Sequence, residues 1–477
     1  MIFNSLGYLI FLFTIALVYY IIAKKYQWLF LLISSYLFYM TWNVKHVFLL
    51  LFCTCITFGL GKLINRTGGR SKKMYLVLGI SVSLIILGIY KYYNFFAESL
   101  QRLLNRAGLP VTISQLSLLL PVGISFFIFR VLSYLIDVYR GEMDAAENFG
   151  KYALYVAFFP EMVSGPIERP RHLMRQFDEI HVLKEENIAA GFQRIVWGIF
   201  KKVVIADRLA LCVDSVYGNI GNVHGQAYFW AALFFTFQIY FDFSAYSDMA
   251  IGSAKILDID LKENFQRPYL SRSIADFWRR WHISLSSWFR DYLYIPLGGS
   301  RKGTLRWGMN IIAVFLASGL WHGAEWSFIA WGGVHAALQI VERVWSGKKA
   351  PEKIKAFISP FQIIINFVLA GMAWIFFRAD TYGDAIYVLK NLFLFQDGFQ
   401  LNEIGMGKQD FILAVVLIAI FCIAEIIEEY CNIHLRSLFY KFPYAVRVCA
   451  YVFVLMFVIL FGMYGDLSAN SFIYVQF

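Results

Sequence analysis

Charge is scarce in this chain. Only 16% of its 477 residues are Asp, Glu, Lys or Arg, against about 25% in an ordinary soluble protein. Cysteine is sparse too: Cys53, Cys55, Cys212, Cys422, Cys431 and Cys449 are scattered, mostly in apolar runs. Without metal-ligand spacing they speak against disulfide and zinc roles, and no metal is expected. There is no Walker loop, no dinucleotide fingerprint, no internal repeat and no low-complexity tract. No insert of soluble-domain size interrupts the chain, so a single membrane domain over residues 1–477 is expected.

What is abundant is apolar sequence. Hydrophobic residues make up 59% of the chain, in recurring runs of about 20 residues, each long enough to cross a bilayer core. The runs are continuous rather than alternating, which selects helices over a barrel. The fold class expected is an all-α polytopic membrane protein with about 12 transmembrane helices. The net charge of +11 sits in short loops between spans, where the positive-inside rule accounts for it better than nucleic acid does.

Those loops give a topology. No positive charge precedes the first span, Leu6 to Ala23, and Lys24 and Lys25 follow it; this is not a cleavable signal, and it puts the N-terminus outside. The stretch Lys62 to Lys73 holds five basic residues and no acid, so it faces the cytoplasm, as does Lys348 to Lys355. An even span count leaves both termini outside. Between these loops, Phe158 to Pro170 carries three prolines, a glycine and two glutamates, which excludes a regular spanning helix. An irregular or re-entrant segment is expected there, lining protein or a cavity. Ala190 to Leu211 and Ala227 to Phe243 read as spans. The acids Glu161, Asp242 and Asp248 are expected to pair with arginines rather than to be catalytic.

Two histidines carry the chemistry. His322 stands in a nearly uncharged run, where an imidazole is costly unless it has a partner or a task. Gly319 and Gly323 flank it and permit close approach of a helix or ligand; Trp321 and Trp326 are candidates to wall a channel. A neutral imidazole is the natural general base for a hydroxyl proton at neutral pH. His282 lies in a segment where Trp278, Trp281, Leu285, Trp288 and Tyr292 recur at steps of three and four. That predicts a helix with an apolar stripe and a polar face of Arg279, His282, Ser286 and Arg290. There His282 either orients substrate or bonds an acyl carbonyl, in competition with a solvated interfacial histidine. His335 reads as structural. From Lys262 to Arg306 nine basic residues face three acids. Positive-inside loops explain them, with the added hypothesis that Arg279, Arg280, Arg301 or Lys302 meets the phosphates of a nucleotide-bearing donor.

The stretches Phe277 to Leu285 and Trp321-His322-Gly323 resemble the signatures of the membrane-bound O-acyltransferase (MBOAT) superfamily, in the bacterial branch that acetylates alginate, peptidoglycan and other exported glycans. Phe159-Pro160-Glu161 through Gly165-Pro166, Asp242-Phe243-Ser244 and the terminal Phe472 to Phe477 extend the likeness. The resemblance implies helices around a central tunnel, a catalytic core over about 150–345, peripheral helices over 1–140 and 356–465, and an outer tail over 466–477. It implies His322 as the essential histidine and His282 as a second functional position, with Trp281, Trp321 and Gly323 lining the tunnel. The donor implied is cytoplasmic acetyl-CoA, a substrate rather than a bound cofactor. The acyl group is then handed to an extracytoplasmic SGNH/serine-hydrolase-like O-acetyltransferase at the bacterial inner membrane. Tyr474 in the outer tail is the candidate acyl relay: a phenol with pKa near 10 leaves more readily than a sugar hydroxyl. D-alanyl transfer from a carrier-protein thioester, and a transporter or flippase with His322 as proton relay, are the alternatives.

Overall fold

The computed structural model describes residues 1–345, 352–395, 397–431, 438–439, 441–464 and 472–473. Among these every regular element is helical. The basic loop from Lys348 lies partly outside the described residues, and Tyr474 wholly so. Five helices are long and apolar enough to cross a bilayer: Val44–Arg66, Gly69–Arg106, Pro360–Arg378, Lys408–Tyr430 and Tyr444–Phe461. Only 6% of the last one's apolar window is buried, leaving Val452, Phe453, Ile459 and Leu460 exposed. An apolar surface of that extent requires lipid as its solvent. This is a multi-pass membrane protein.

The chain folds into two compact units, Met1–Ile195 with Met249–Lys262, and Val196–Asp248 with Glu263–Phe477. In the first, the proline-bearing stretch after the Phe149–Ala157 helix is irregular, as its composition predicts, and all of it but Arg169 is buried. Its freed carbonyls need donors, and Arg130, itself 1% exposed, supplies them. Its guanidinium donates to the carbonyls of Val156 at 3.0 Å and of Glu161, and it pairs with the Glu161 carboxylate at 3.4 Å. Glu161 therefore has the arginine partner expected of it.

The second unit departs from expectation twice. The run read as one span from Ala190 is interrupted within this unit by a π-helical stretch, Phe200–Ala206, before Asp207–Tyr217 continues. The wider turn carries Lys201 and Lys202 inward, 4% and 2% exposed. Asp242 and Asp248 accordingly pair with lysines rather than arginines: Lys202 with Asp242 and Lys201 with Asp248, each at 2.6 Å.

The Trp-rich stretch is likewise not one helix. It breaks into Ile274–Arg280 and Ile283–Phe289, with His282 between them in the left-handed region at φ +43°. An L-residue rarely holds that conformation without compensation. The break turns His282 off the polar face it would share with Arg279 and Arg290. It is fully buried, while those two arginines stay exposed.

The run from Thr304 to Trp345 forms a helical hairpin, Thr304–His322 and Trp326–Trp345, turning at Gly323. Two glycines let its arms meet backbone to backbone. A Cβ on Gly319 would stand 2.2 Å from the Phe328 carbonyl oxygen, and one on Gly332 equally close to that of Phe315. Gly319→Ala and Gly332→Ala are each expected to lower the unfolding temperature of detergent-purified protein through an overpacking cost of about 1–3 kcal/mol. Gly333→Ala, whose Cβ meets nothing within 4 Å, should leave it unchanged. Identical melting of all three variants would show that the arms are not this close.

Candidate active site

His322 is the last residue of the first hairpin arm, 4% exposed. Its ring sits among Trp321, Trp331 and Phe377, at centroid distances of 4.9, 5.1 and 5.3 Å. Gly323 is required behind it, since a Cβ there would strike the Phe328 ring at 2.1 Å. Phe328 in turn meets Phe377 edge to face. The imidazole is held by shape, in a wall of aromatic rings.

His282 lies 6.5 Å from His322 between ring centroids, with Trp321 at 6.0 Å. Asn264 pins it. The Asn264 side-chain oxygen lies 3.1 Å from His282 Nδ1 and accepts from the backbone and hydroxyl of Ser284, while its backbone carbonyl accepts from the Ile283 N–H. Asn264 Nδ2 is anchored on the Ser247 hydroxyl at 3.2 Å. A carbonyl oxygen only accepts, so this network assigns the proton to Nδ1 and leaves Nε2 as the acceptor nitrogen. That favours orienting a donor over bonding an acyl carbonyl. Asn264 also secures the left-handed turn, so one residue fixes both conformation and tautomer. Asn264, 18 residues before His282, was not among the sequence-predicted site residues.

The other candidates divide. Trp281 is buried against Phe277 and Trp374 rather than on a solvent face. His335 accepts from Trp278 Nε1 at 3.3 Å, a structural bridge. Arg279, Arg301 and Lys302 are exposed. Arg280 is held by Asp276 at 3.1 Å and Glu429 at 2.9 Å. Among the described residues no group of three or more His, Cys, Asp or Glu is arranged to hold a metal.

A cavity of about 170 Å³ shares the Phe377 wall with His322, which does not itself line it. Phe377, which packs on the imidazole, and Phe328 behind it wall one side; Lys202, Asp207, Gln238 and Asp242 line another, and Ile473 reaches its edge. Two acceptors in this lining, Asp207 Oδ2 and Gln238 Oε1, are buried without a hydrogen-bond partner among the described residues.

Residues 146–379, which hold both histidines, Asn264 and the lysine–aspartate pairs, match the MBOAT, membrane-bound O-acyltransferase family. The chain is 39% identical over 413 residues to the probable alginate O-acetylase AlgI of Pseudomonas putida, covering 84% of this chain and 83% of that protein. This chain belongs to the membrane-bound O-acyltransferase family. It is also 36% identical over 393 residues to the peptidoglycan O-acetyltransferase of Helicobacter pylori, covering 76% and 73% of the two chains. A teichoic acid D-alanyltransferase of Bacillus subtilis shares 29% over 240 residues, 46% and 57% of the respective lengths. Membership makes the protein an acyltransferase and sets aside the transporter reading.

For this O-acyltransferase the surroundings of His282 set its charge. Burial pushes the His282 imidazole down to about 3, so it is neutral at every pH from 5 to 8. Its folded value lies below the unfolded one near 6.5. Its contribution to stability is therefore complete above pH 6.5 and is lost as pH falls toward 3. His282→Asn, which tolerates the left-handed turn, is expected to lower acyl-transfer rates while keeping the shape of the pH–rate profile between 5 and 8. A displaced acid limb in that variant would mean that His282 titrates in the working range.

Proposed function

We propose that this O-acetyltransferase moves acetyl from cytoplasmic acetyl-CoA across the membrane for O-acetylation of an exported cell-surface polysaccharide of the alginate or peptidoglycan type. The acetyl group passes to an extracytoplasmic SGNH/serine-hydrolase-like transferase. The observation that carries the reading is His322: a buried imidazole at a helix end, beside a second imidazole and one wall away from a cavity. The relatives' names favour acetyl over D-alanyl, since identity to the acetylases is higher and spans more of both chains.

In this mechanism His322 takes the proton of the acceptor hydroxyl as its oxygen attacks the thioester carbonyl. The tetrahedral intermediate collapses, the C–S bond breaks, and the proton passes from His322 to the departing thiolate. His282, through its acceptor nitrogen, orients the approaching donor group. The exposed Arg279, Arg301 and Lys302 take the phosphates of the donor on the cytoplasmic side; Arg280, already shared by two carboxylates, is the weakest of the four. About 12 spans in one domain surround a tunnel walled by Trp281, Trp321 and Gly323, with both termini outside the bacterial inner membrane.

The acceptor hydroxyl within this chain is Tyr474. The aryl acetate formed there retains transfer potential for the second step to the partner enzyme. Support comes from the residues just before it: Phe472 and Ile473 are buried, and Ile473 borders the cavity whose aromatic wall also packs on His322.

His322→Ala should leave a folded, membrane-inserted protein and reduce acyl transfer from acetyl-CoA by about 10²–10⁴-fold, the usual worth of a general base. Turnover near the wild-type rate in purified form would remove His322 from this role. The same assay with a D-alanyl-charged carrier protein separates the two donors, with acetyl-CoA expected to be the one consumed. Tyr474→Phe is expected to preserve expression and thioester hydrolysis while eliminating glycan acetylation in cells. Wild-type acetylation in that strain would leave the tail without a chemical part.

A further inference from the structure

The tail is not held by apolar contact alone. The backbone N–H of Ile473 donates to Asp242 Oδ2 at 2.8 Å. The other oxygen of that carboxylate accepts from Lys202 Nζ at 2.6 Å, and the same ammonium reaches Asp207 at 2.9 Å. Lys202 also lies over the Phe472 ring, 4.6 Å from its centroid, and the ring meets Tyr246 edge-on at 4.9 Å. Phe472 is 1% exposed and Ile473 9%. Phe472 and Ile473, the latter 231 positions from Asp242 in sequence, thus complete a buried charge cluster built by the π-helical stretch and the Gly225–Ile256 helix.

We propose that Asp242, aimed by Lys202, is the docking residue for the tail, and that this dock positions the tail for acyl transfer. An N–H bound to a carboxylate is charge-assisted and directional, and a desolvated ammonium over an aromatic face adds a second fixed point. The ring at 472 and the N–H at 473 together set the register of the segment against the cavity edge. A slip by one residue would place a different side chain under Lys202 and a different one at the cavity. Asp242 and Lys202 are positioning residues: they act on the reaction through the tail. The proposal rests on the tail carrying the acyl group, and it adds what holds the tail in place.

Ile473→Pro tests it by removing the N–H donor, although proline also fixes φ and replaces the buried side chain. Ile473→Val, which keeps the N–H, is the conservative control. Two quantities are read in full-length detergent-purified protein and its membranes: hydrogen exchange of the C-terminal peptide 464–477, and acetyl transfer to the glycan. Wild type and Ile473→Val are expected to show a protected tail and transfer within about twofold of one another. Ile473→Pro should deprotect the tail and lower transfer at least tenfold, the order expected for losing one charge-assisted bond, with acetyl-CoA hydrolysis retained. Phe472→Ala should do the same through the lost ring. A tail that exchanges freely in wild type, or an Ile473→Pro protein with full transfer, overturns the proposal. If Ile473→Pro deprotects the tail and lowers transfer while Tyr474→Phe transfers normally, the dock stands and the relay role of Tyr474 falls.

Discussion

A buried ammonium shared between two carboxylates is the constraint on which the second unit depends. In an environment without water to fall back on, Lys202 cannot stay charged alone, and neither can Asp207 or Asp242. Each is retained because the others are present. The π-helical stretch that turns Lys202 inward follows from this need, since a regular helix would set the neighbouring lysines at a different angle to the facing aspartates. The cluster borders the cavity and meets the tail, so its geometry is felt at both.

The aromatic wall around the histidines solves a related problem by other means. Imidazole has less to lose by burial than an ammonium, provided it remains neutral. His282 is kept so by burial, while the acceptor oxygen of Asn264 fixes its tautomer. His322 is confined by rings on several sides, and the glycine contacts of the hairpin fix the height at which it stands. Position is thereby decided by close packing of backbone, which leaves little room for drift.

Much of this was legible in the sequence, and what was not has a common cause. Apolar run length announced a helical multi-pass protein, prolines announced the buried irregular stretch, and the glycines flanking His322 announced a close helix approach. The family signature at Trp278 to His282 was equally plain. Helical periodicity misread the same stretch, because a break at one left-handed residue leaves the spacing of its tryptophans unchanged while turning His282 inward. Lys201 and Lys202 passed unnoticed inside a run counted as a span. Their signal was complementary: two cations in one span and two acids, Asp242 and Asp248, in the next. Pairing across elements is tertiary information, and a single sequence offers only the opposite signs.

The cavity that shares the Phe377 wall with His322 has a consequence for what can enter it. Its lining brings five carboxylates, Asp207, Asp214, Asp242, Glu325 and Asp380, against two cations, Lys202 and Arg378. Both cations are already engaged, Arg378 with Asp214 at 2.8 Å. Low-dielectric walls concentrate the resulting negative potential, and salt screens it little at distances shorter than a Debye length of about 8 Å. A polyanion approaching this opening is repelled before it meets any specific group. A neutral hydroxyl pays no such penalty, and the cavity's spare acceptors can bind its proton. On the proposed route, this lining favours a neutral hydroxyl over a carboxylate-rich polymer, which would then receive its acyl group outside the cavity.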